Sequence, residues 1–211
     1  MNNYIKEFLL ANLKTNPVII EAGTASGYDT KTFCEMFPNG RIYGFEPIPE
    51  LFKLATESVK NFNNVTINNK ALSDRHGIVE MYVSDLDGEI VESSSILEPK
   101  AHITYHPRIT FKQKINVEGI LLDEFLEENN IIEIDLLWLD LQGFESFILK
   151  NSPKTLARTQ DIFTEINLTD VYDGVTVWSQ FEPYMESEGF KRIWDDISPN
   201  VEAANALFKK V

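Results

Sequence analysis

The chain of 211 residues holds one cysteine, three histidines and 19 basic side chains against 33 acidic ones, and each shortage closes off a class of function. With Cys34 alone, no intrachain disulfide can form. Flanked by Phe33 and Met36 on an expected helix, Cys34 reads as a small buried hydrophobe in a reducing compartment. No Cys/His cluster has the spacing of a metal site. His102 and His106 stand four apart, but Pro107 and the β-branched neighbours oppose a helix there, and a surface loop is expected. Basic residues are scattered singly through a chain of net charge −14. Neither nucleic acid nor an anionic membrane surface is therefore an expected partner. Long apolar runs are missing as well: Glu7 interrupts the first helix, and Glu133, Asp135 and Asp140 break residues 131–141. Without a secretory signal or a membrane span, the expected location is cytoplasmic. Repeats, low-complexity tracts and linkers are absent too. The length suits one α/β domain over 1–211, large enough to bury roughly 70% of its unfolded surface.

What is present centres on residues 18–30. Val18, Ile19 and Ile20 form an unbroken apolar run behind Pro17, the pattern of a strand buried on both faces. Glu21 ends it, and Gly23 and Gly27 follow, placing a carboxylate and a tight turn just before a helix. A dinucleotide fold needs Gly-x-Gly-x-x-Gly, whereas Ala25 and Tyr28 occupy the second and third glycine positions, which disfavours a nicotinamide oxidoreductase. An acid ahead of Gly-x-x-x-Gly suits a ligand with no phosphate but with an ammonium, a sulfonium and a ribose. S-adenosylmethionine fits that description.

Around this stretch the chain alternates strand and helix. Tyr4, Ile5, Phe8, Leu9 and Leu13 recur at helical spacing, predicting an amphipathic N-terminal helix over 3–14 that packs on the domain and can cap the ligand. Strands are expected over 41–45, 65–69, 134–139, 161–167, 190–194 and 206–208, with helices between. Ser152-Pro153 reads as a helix cap and first position, and Ser179 with Glu182 as a capping box. Residues 77–118, with alternating segments around Ser93, Ser94 and Ser95, read as a β-rich insertion supplying substrate contacts. Such alternation implies a right-handed doubly wound, Rossmann-like parallel sheet with ligands above the C-terminal strand ends.

Glu46 follows Glu21 by one strand-helix-strand unit, where an acid accepts hydrogen bonds from the two ribose hydroxyls, and Pro47 holds it extended. Glu21, Glu46, Ser73, Asp140 and Glu165 are all expected on the same sheet edge. That coincidence is the physical case for an active site.

The same segments resemble the FkbM family of S-adenosylmethionine-dependent methyltransferases over residues 18–209. The matching signals are Ile20-Glu21-Ala22-Gly23 with Gly27, Phe45-Glu46-Pro47 with Pro49, and Ala71-Leu72-Ser73-Asp74 with Gly77. Serines 93–95, Leu122-Asp123, Leu139-Asp140-Leu141-Gln142-Gly143 with Glu145, Glu165, Tyr172 with Gly174, and Ala206-Leu207-Phe208 continue the series. The resemblance implies a seven-stranded sheet whose last strand is antiparallel, and methyl transfer to a hydroxyl of a small molecule or carbohydrate. It implies cofactor contacts from Glu21, Ala22, Gly23, Ser26, Gly27, Glu46 and Pro47. Ala71, Leu72 and Ser73 would lie toward the adenine, and Asp140 and Gln142 toward the other end. Ser94, Ser95, Glu165 and Tyr172 would meet the acceptor, with Asp140 the first candidate base and Glu165 the second. Glu21 stands where the family usually has aspartate, Thr24-Ala25-Ser26 replaces Ala-Asn-x, and Gln142 stands where glutamate is common. Loss of that charge keeps a second reading in view: a methyltransferase-like module that binds cofactor or partner without turnover.

Overall fold

In the computed structural model, which describes all 211 residues, the centre of the molecule is a pair of buried parallel strands. β1 (Val18–Ala22) sends Val18, Ile20 and Ala22 into one core layer and Ile19 into the other. In β8 (Ile134–Leu139), Leu137 and Leu139 share the first layer while Leu136 and Trp138 share the second. That alternation is the two-residue period of a strand, and helices cover both faces. Beside β1 lie β2 (Arg41–Phe45) and β3 (Val65–Asn68); beside β8 lie β9 (Thr159–Asn167), β11 (Ala203–Lys210) and β10 (Phe190–Asp195). The seven-stranded order is β10-β11-β9-β8-β1-β2-β3, and β11 is antiparallel to both its neighbours. The expected sheet and its reversed last strand are both present.

Strand order runs outward in opposite directions from β1 and β8, so the sheet switches topology between them. A doubly wound sheet opens a crevice beyond the strand ends at that switch.

Helices pack on both faces of the sheet. α1 (Asn3–Asn12) buries Ile5 and Leu9 against Ile19, Leu136 and Phe163, and ends two residues before the expected limit. α2 (Tyr28–Met36) follows the first turn, and α3 (Pro49–Val59) starts with proline at its first position. α5 (Leu122–Glu128) leads to β8 and α6 (Glu145–Lys150) leaves it.

Ala71 and Leu72 form a short β4 outside the main sheet, pairing in parallel with the end of β7 (Ile109–Ile120). A second sheet results, ordered β4-β7-β5-β6, in which β5 (Gly77–Leu86) and β6 (Glu89–Ile90) make a hairpin. Val79, Met81, Val83 and Val117 from this sheet pack against Ile48 and Leu51 of the main fold.

Three local expectations are overturned. His102 opens a one-turn helix, α4 (His102–Tyr105), and is buried, because its ring packs against Phe111 and Tyr172 at 5.2 and 5.4 Å. Ser179 and Glu182 form no capping box: α8 (Trp178–Ser187) begins two residues earlier with Val177 as its cap, and Glu182 pairs with Arg192 at 2.8 Å. Ser152 sits at the cap position of α7 (Pro153–Arg158) but makes no cap bond; the Asp123 carboxylate instead accepts from the Lys154 and Thr155 amides at 3.0 and 2.8 Å. A carboxylate from another helix supplies the acceptor that the local serine does not.

Candidate functional site

The strand ends at the switch are unusually close. Gly23 leaves β1 with φ +85°, and a β-carbon there would lie 1.9 Å from the Asp140 carbonyl oxygen. Gly27 has φ +82°, and a β-carbon would meet Ser58 Oγ at 2.3 Å and Ala55 Cα at 2.8 Å. Backbone packing, against Asp140 just past β8 and against α3, therefore demands glycine at both positions. Between them, Ala25 is held at φ +47°, a region an L residue seldom adopts, while its amide donates to Glu46 Oε2 at 2.9 Å. Glu46 Oε1 accepts from the Ile48 amide at 2.9 Å. One carboxylate thus braces the turn after β1 to the start of α3.

Above these ends lies a cavity of about 450 Å³, within the ~300–1,000 Å³ range of small-molecule sites. Its apolar walls include Phe45, Ile48, Leu72, Met81, Trp138 and Phe144. Glu21, Asp29, Glu46, Glu92 and Asp140 bring carboxylates to it, against Lys70 and the Met1 amino group, which donates to Asp29 Oδ1 at 2.9 Å. Such a set of acceptors favours a cationic, hydroxyl-bearing ligand and opposes a phosphate. Burial pushes Glu21 up to about 8, against a 2.6 Å bond from Thr30 Oγ1 that favours its charge. Burial likewise pushes Glu46 to about 7, offset by its two backbone donors. Asp140 is exposed to the cavity, yet the enclosing walls strip enough water to raise its carboxyl too.

On the acceptor side, Gln142 is the point of convergence. Its Nε2 donates to Asp140 Oδ1 at 2.8 Å and approaches Glu165 Oε2 and Oε1 at 3.3 and 3.4 Å. Its Oε1 accepts from Tyr172 Oη at 3.1 Å, and its carbonyl accepts from Ser95 Oγ at 2.8 Å. Behind it, Glu145 Oε1 accepts from the Leu141 and Gly143 amides at 2.7 and 3.4 Å, and burial raises that carboxyl to about 7. Desolvation drives Glu165 well above the usual carboxylate range, with Asp140 and Glu145 adding to the shift.

The FkbM methyltransferase domain model matches residues 21–192. The chain belongs to that family. It is an S-adenosylmethionine-dependent methyltransferase. A relative, the 2-O-methyltransferase NoeI of Sinorhizobium fredii (strain NBRC 101917 / NGR234), is 32% identical over 164 residues, 76% of this chain and 68% of that protein. Two solved structures share the fold. Magnesium protoporphyrin IX methyltransferase (ChlM) from Synechocystis PCC 6803 with bound SAM superposes with TM-score 0.57 at 8% identity, over 99% of this chain and 77% of that one. M. capricolum TrmK in complex with S-adenosylhomocysteine gives 0.55 at 10%, over 100% and 69%.

In this FkbM chain the cavity takes in Glu21, Gly23, Ser26, Glu46, Pro47, Ala71, Leu72, Ser94, Asp140 and Gln142. Ala22, Gly27, Ser73, Ser95, Glu165 and Tyr172 do not line it. Ala22 is a core residue. Ser73 is fully buried and its hydroxyl bonds to Asp74 Oδ1 and the Arg75 amide, because β4 has left the main sheet. It is therefore not at the sheet edge shared by the four acids. Ser95, Glu165 and Tyr172 stand one shell back, joined to the cavity through Gln142. Tyr28, Asp29, Glu92, Trp138 and Phe144 line the cavity and escaped the sequence reading. Tyr28-Asp29 directly follows Gly27, Glu92 directly precedes the serines and Phe144 follows Gly143, so adjacency to the motifs was the available signal.

Proposed function

We propose that the chain transfers a methyl group from S-adenosylmethionine to a hydroxyl oxygen of a small molecule or carbohydrate. The observation that carries this reading is Asp140, a carboxylate at the tip of a central strand, open to an acid-lined cavity of cofactor size. When bound, the cofactor supplies an activated methyl on a sulfonium, which needs no metal or further electrophile. Glu46, already oriented by two backbone amides, would accept from the ribose hydroxyls. Phe45, Ile48 and Leu72 would flank the base, with Glu21 and Asp29 left for the ammonium end.

The chain's part in the reaction is positioning and one proton transfer. Asp140 would take the hydroxyl proton of an acceptor aligned with that methyl, as the C–O bond replaced the C–S bond and the electron pair of the latter stayed on sulfur. Alignment alone accounts for up to roughly 7–11 kcal/mol of barrier, and a placed base for about 10²–10⁴-fold in rate. A raised carboxyl suits that task, because its conjugate acid forms more readily near neutrality. Ser94 and Glu92, on the insertion side of the cavity, would meet the acceptor. The acid-rich lining favours neutral acceptors over phosphorylated or carboxylated ones.

The second sheet is read as an insertion within one domain over 1–211, since Val79 and Met81 share a core with Ile48 and Leu51. A cytoplasmic setting is part of the proposal, supported by the buried free thiol of Cys34; no helix is long and apolar enough to cross a membrane. The test is calorimetry with S-adenosylmethionine and S-adenosylhomocysteine, followed by turnover against a panel of methyl glycosides and other alcohols. Asp140→Asn is expected to keep cofactor affinity within threefold while turnover drops at least 100-fold. Unchanged turnover in both Asp140→Asn and Glu165→Gln removes the base assignment.

A further inference from the structure

Gln142 is held in place from every side. Its backbone has φ +52°, outside the range a glutamine adopts without support. The Ser95 hydroxyl grips its carbonyl from the insertion, and the Tyr172 hydroxyl meets its Oε1 from the loop after β9. With Asp140 ionised, the NH₂ must face it, because a carboxylate only accepts, and the amide oxygen then faces the tyrosine hydroxyl. The single hydroxyl hydrogen of Tyr172 is shared between that oxygen and the Ser93 carbonyl, both at 3.1 Å.

The two hydrogens of that NH₂ are not shared equally. Asp140 receives a bond of 2.8 Å and Glu165 contacts of 3.3 and 3.4 Å. Asp140 opens to the cavity, whereas Glu165 lies outside its lining.

We propose that Gln142 is a positioning residue for methyl transfer, whose amide selects Asp140 as the ionised member of a carboxyl pair and leaves Glu165 as the protonated one. This rests on the reading of Asp140 as the base. Asp140 then takes the acceptor proton and returns it to solvent through the cavity mouth. A short N–H bond favours the charged form of its acceptor, and Gln142 is the largest influence opposing desolvation at Asp140. The other groups bearing on Asp140 are Glu92 in the insertion, Asp29 on α2 and the chain's amino group, with Glu21 on β1 and Glu145 on α6 also interacting with it; those bearing on Glu165 are Asp140, Glu145 and Glu202 before β11. Apart from the amino group these are acids, each pushing upward the carboxyl it faces; the amide is the one donor that both carboxyls share, and it lies closer to Asp140 than to Glu165.

Two carboxyls joined this way titrate as a pair, and a probe at each carbon is needed to separate them. Carbon-13 NMR of the full chain, labelled at Asp and Glu carboxyls, supplies it without any acceptor. In the wild type Asp140 is expected to titrate below Glu165. Gln142→Met, close in shape but without donors, is expected to raise Asp140 by about one unit or more and to close the gap. Tyr172→Phe, which frees the amide oxygen, is expected to move Asp140 the same way by less, and stands in if the methionine variant fails to fold. An Asp140 titration that shifts by less than ~0.3 unit in a folded variant overturns the inference, as does a wild type in which Glu165 ionises first. Loss of turnover in Asp140→Asn with no movement of Asp140 in the Gln142 variant sinks the inference alone, and leaves the base reading standing.

Discussion

The Cα of Gly23 faces the carbonyl of Asp140 so closely that a side chain at 23 would place its first carbon 1.9 Å from that oxygen. Two strand ends meet there, one carrying the turn of the cofactor loop and the other the candidate base. Gly23→Ala must therefore either splay β1 from β8 or move Asp140. With φ at +85°, the left-handed penalty adds to the clash, for roughly 2–5 kcal/mol in all. Urea unfolding is expected to show that loss, and any folded fraction to bind cofactor poorly. Wild-type stability in Gly23→Ala would mean the strands tolerate separation.

Glu46 has a double duty, bracing two backbone amides at 2.9 Å while facing the cavity. Glu46→Ala frees both amides and allows Ala25 to relax from its positive φ. We expect at least 30-fold weaker binding of S-adenosylmethionine together with a lower Tm. Glu46→Gln keeps one acceptor oxygen and turns an NH₂ toward the other amide, so it is expected to bind little better than the alanine variant. Calorimetry on both decides this.

Asp123 belongs to a family motif yet lies outside the cavity lining, where it caps α7 and also accepts from Thr155 Oγ1 at 2.6 Å. Asp123→Ala is expected to cost about 1–2 kcal/mol, visible as a drop in Tm of roughly 2–8 °C. Cofactor affinity should stay within twofold. A variant of normal Tm but failed binding would place Asp123 in the site instead.

Ionisation of the cavity acids makes both stability and binding depend on pH. Glu21 rises from 4.5 to about 8 on folding, so the native state keeps a proton that the unfolded chain gives up across that window. Its contribution is fully present below about 4.5 and is lost as pH climbs toward 8, the direction set by the native state binding more protons. Glu21→Gln should flatten this slope and raise the cofactor-free Tm at pH 8. A cationic ligand reverses the preference by favouring the carboxylates. S-adenosylmethionine is expected to bind more tightly from pH 6 to 9 with proton release, and S-adenosylhomocysteine, lacking the sulfonium, to show a weaker trend. Calorimetry in buffers of different ionisation enthalpy measures the proton count; equal counts for the two ligands would refute the electrostatic account of the cavity.

The chain alone made legible the main sheet and the place of Glu21 and Glu46 at its C-terminal edge, beside an acid-rich lining. These follow from local pattern: an unbroken apolar run specifies a buried strand, and an acid just past it must sit at the strand tip. Only the folded chain shows that Gly23 and Gly27 pack against neighbouring backbone, since the obstructing atoms come from Asp140, just past β8, and from α3, both remote in the chain. It drew Ser73 away from the edge by pairing β4 with β7, some 48 residues on (119 − 71). Gln142 shows the division most plainly. From sequence it was a missing charge; folding brings Asp140, Glu165, Tyr172 and Ser95 to its four polar contacts and turns it into the joint of the site. Hydrogen-bond partners 23 to 47 positions apart leave no periodic trace in a chain, because only the closed sheet and the loops above it set their distance.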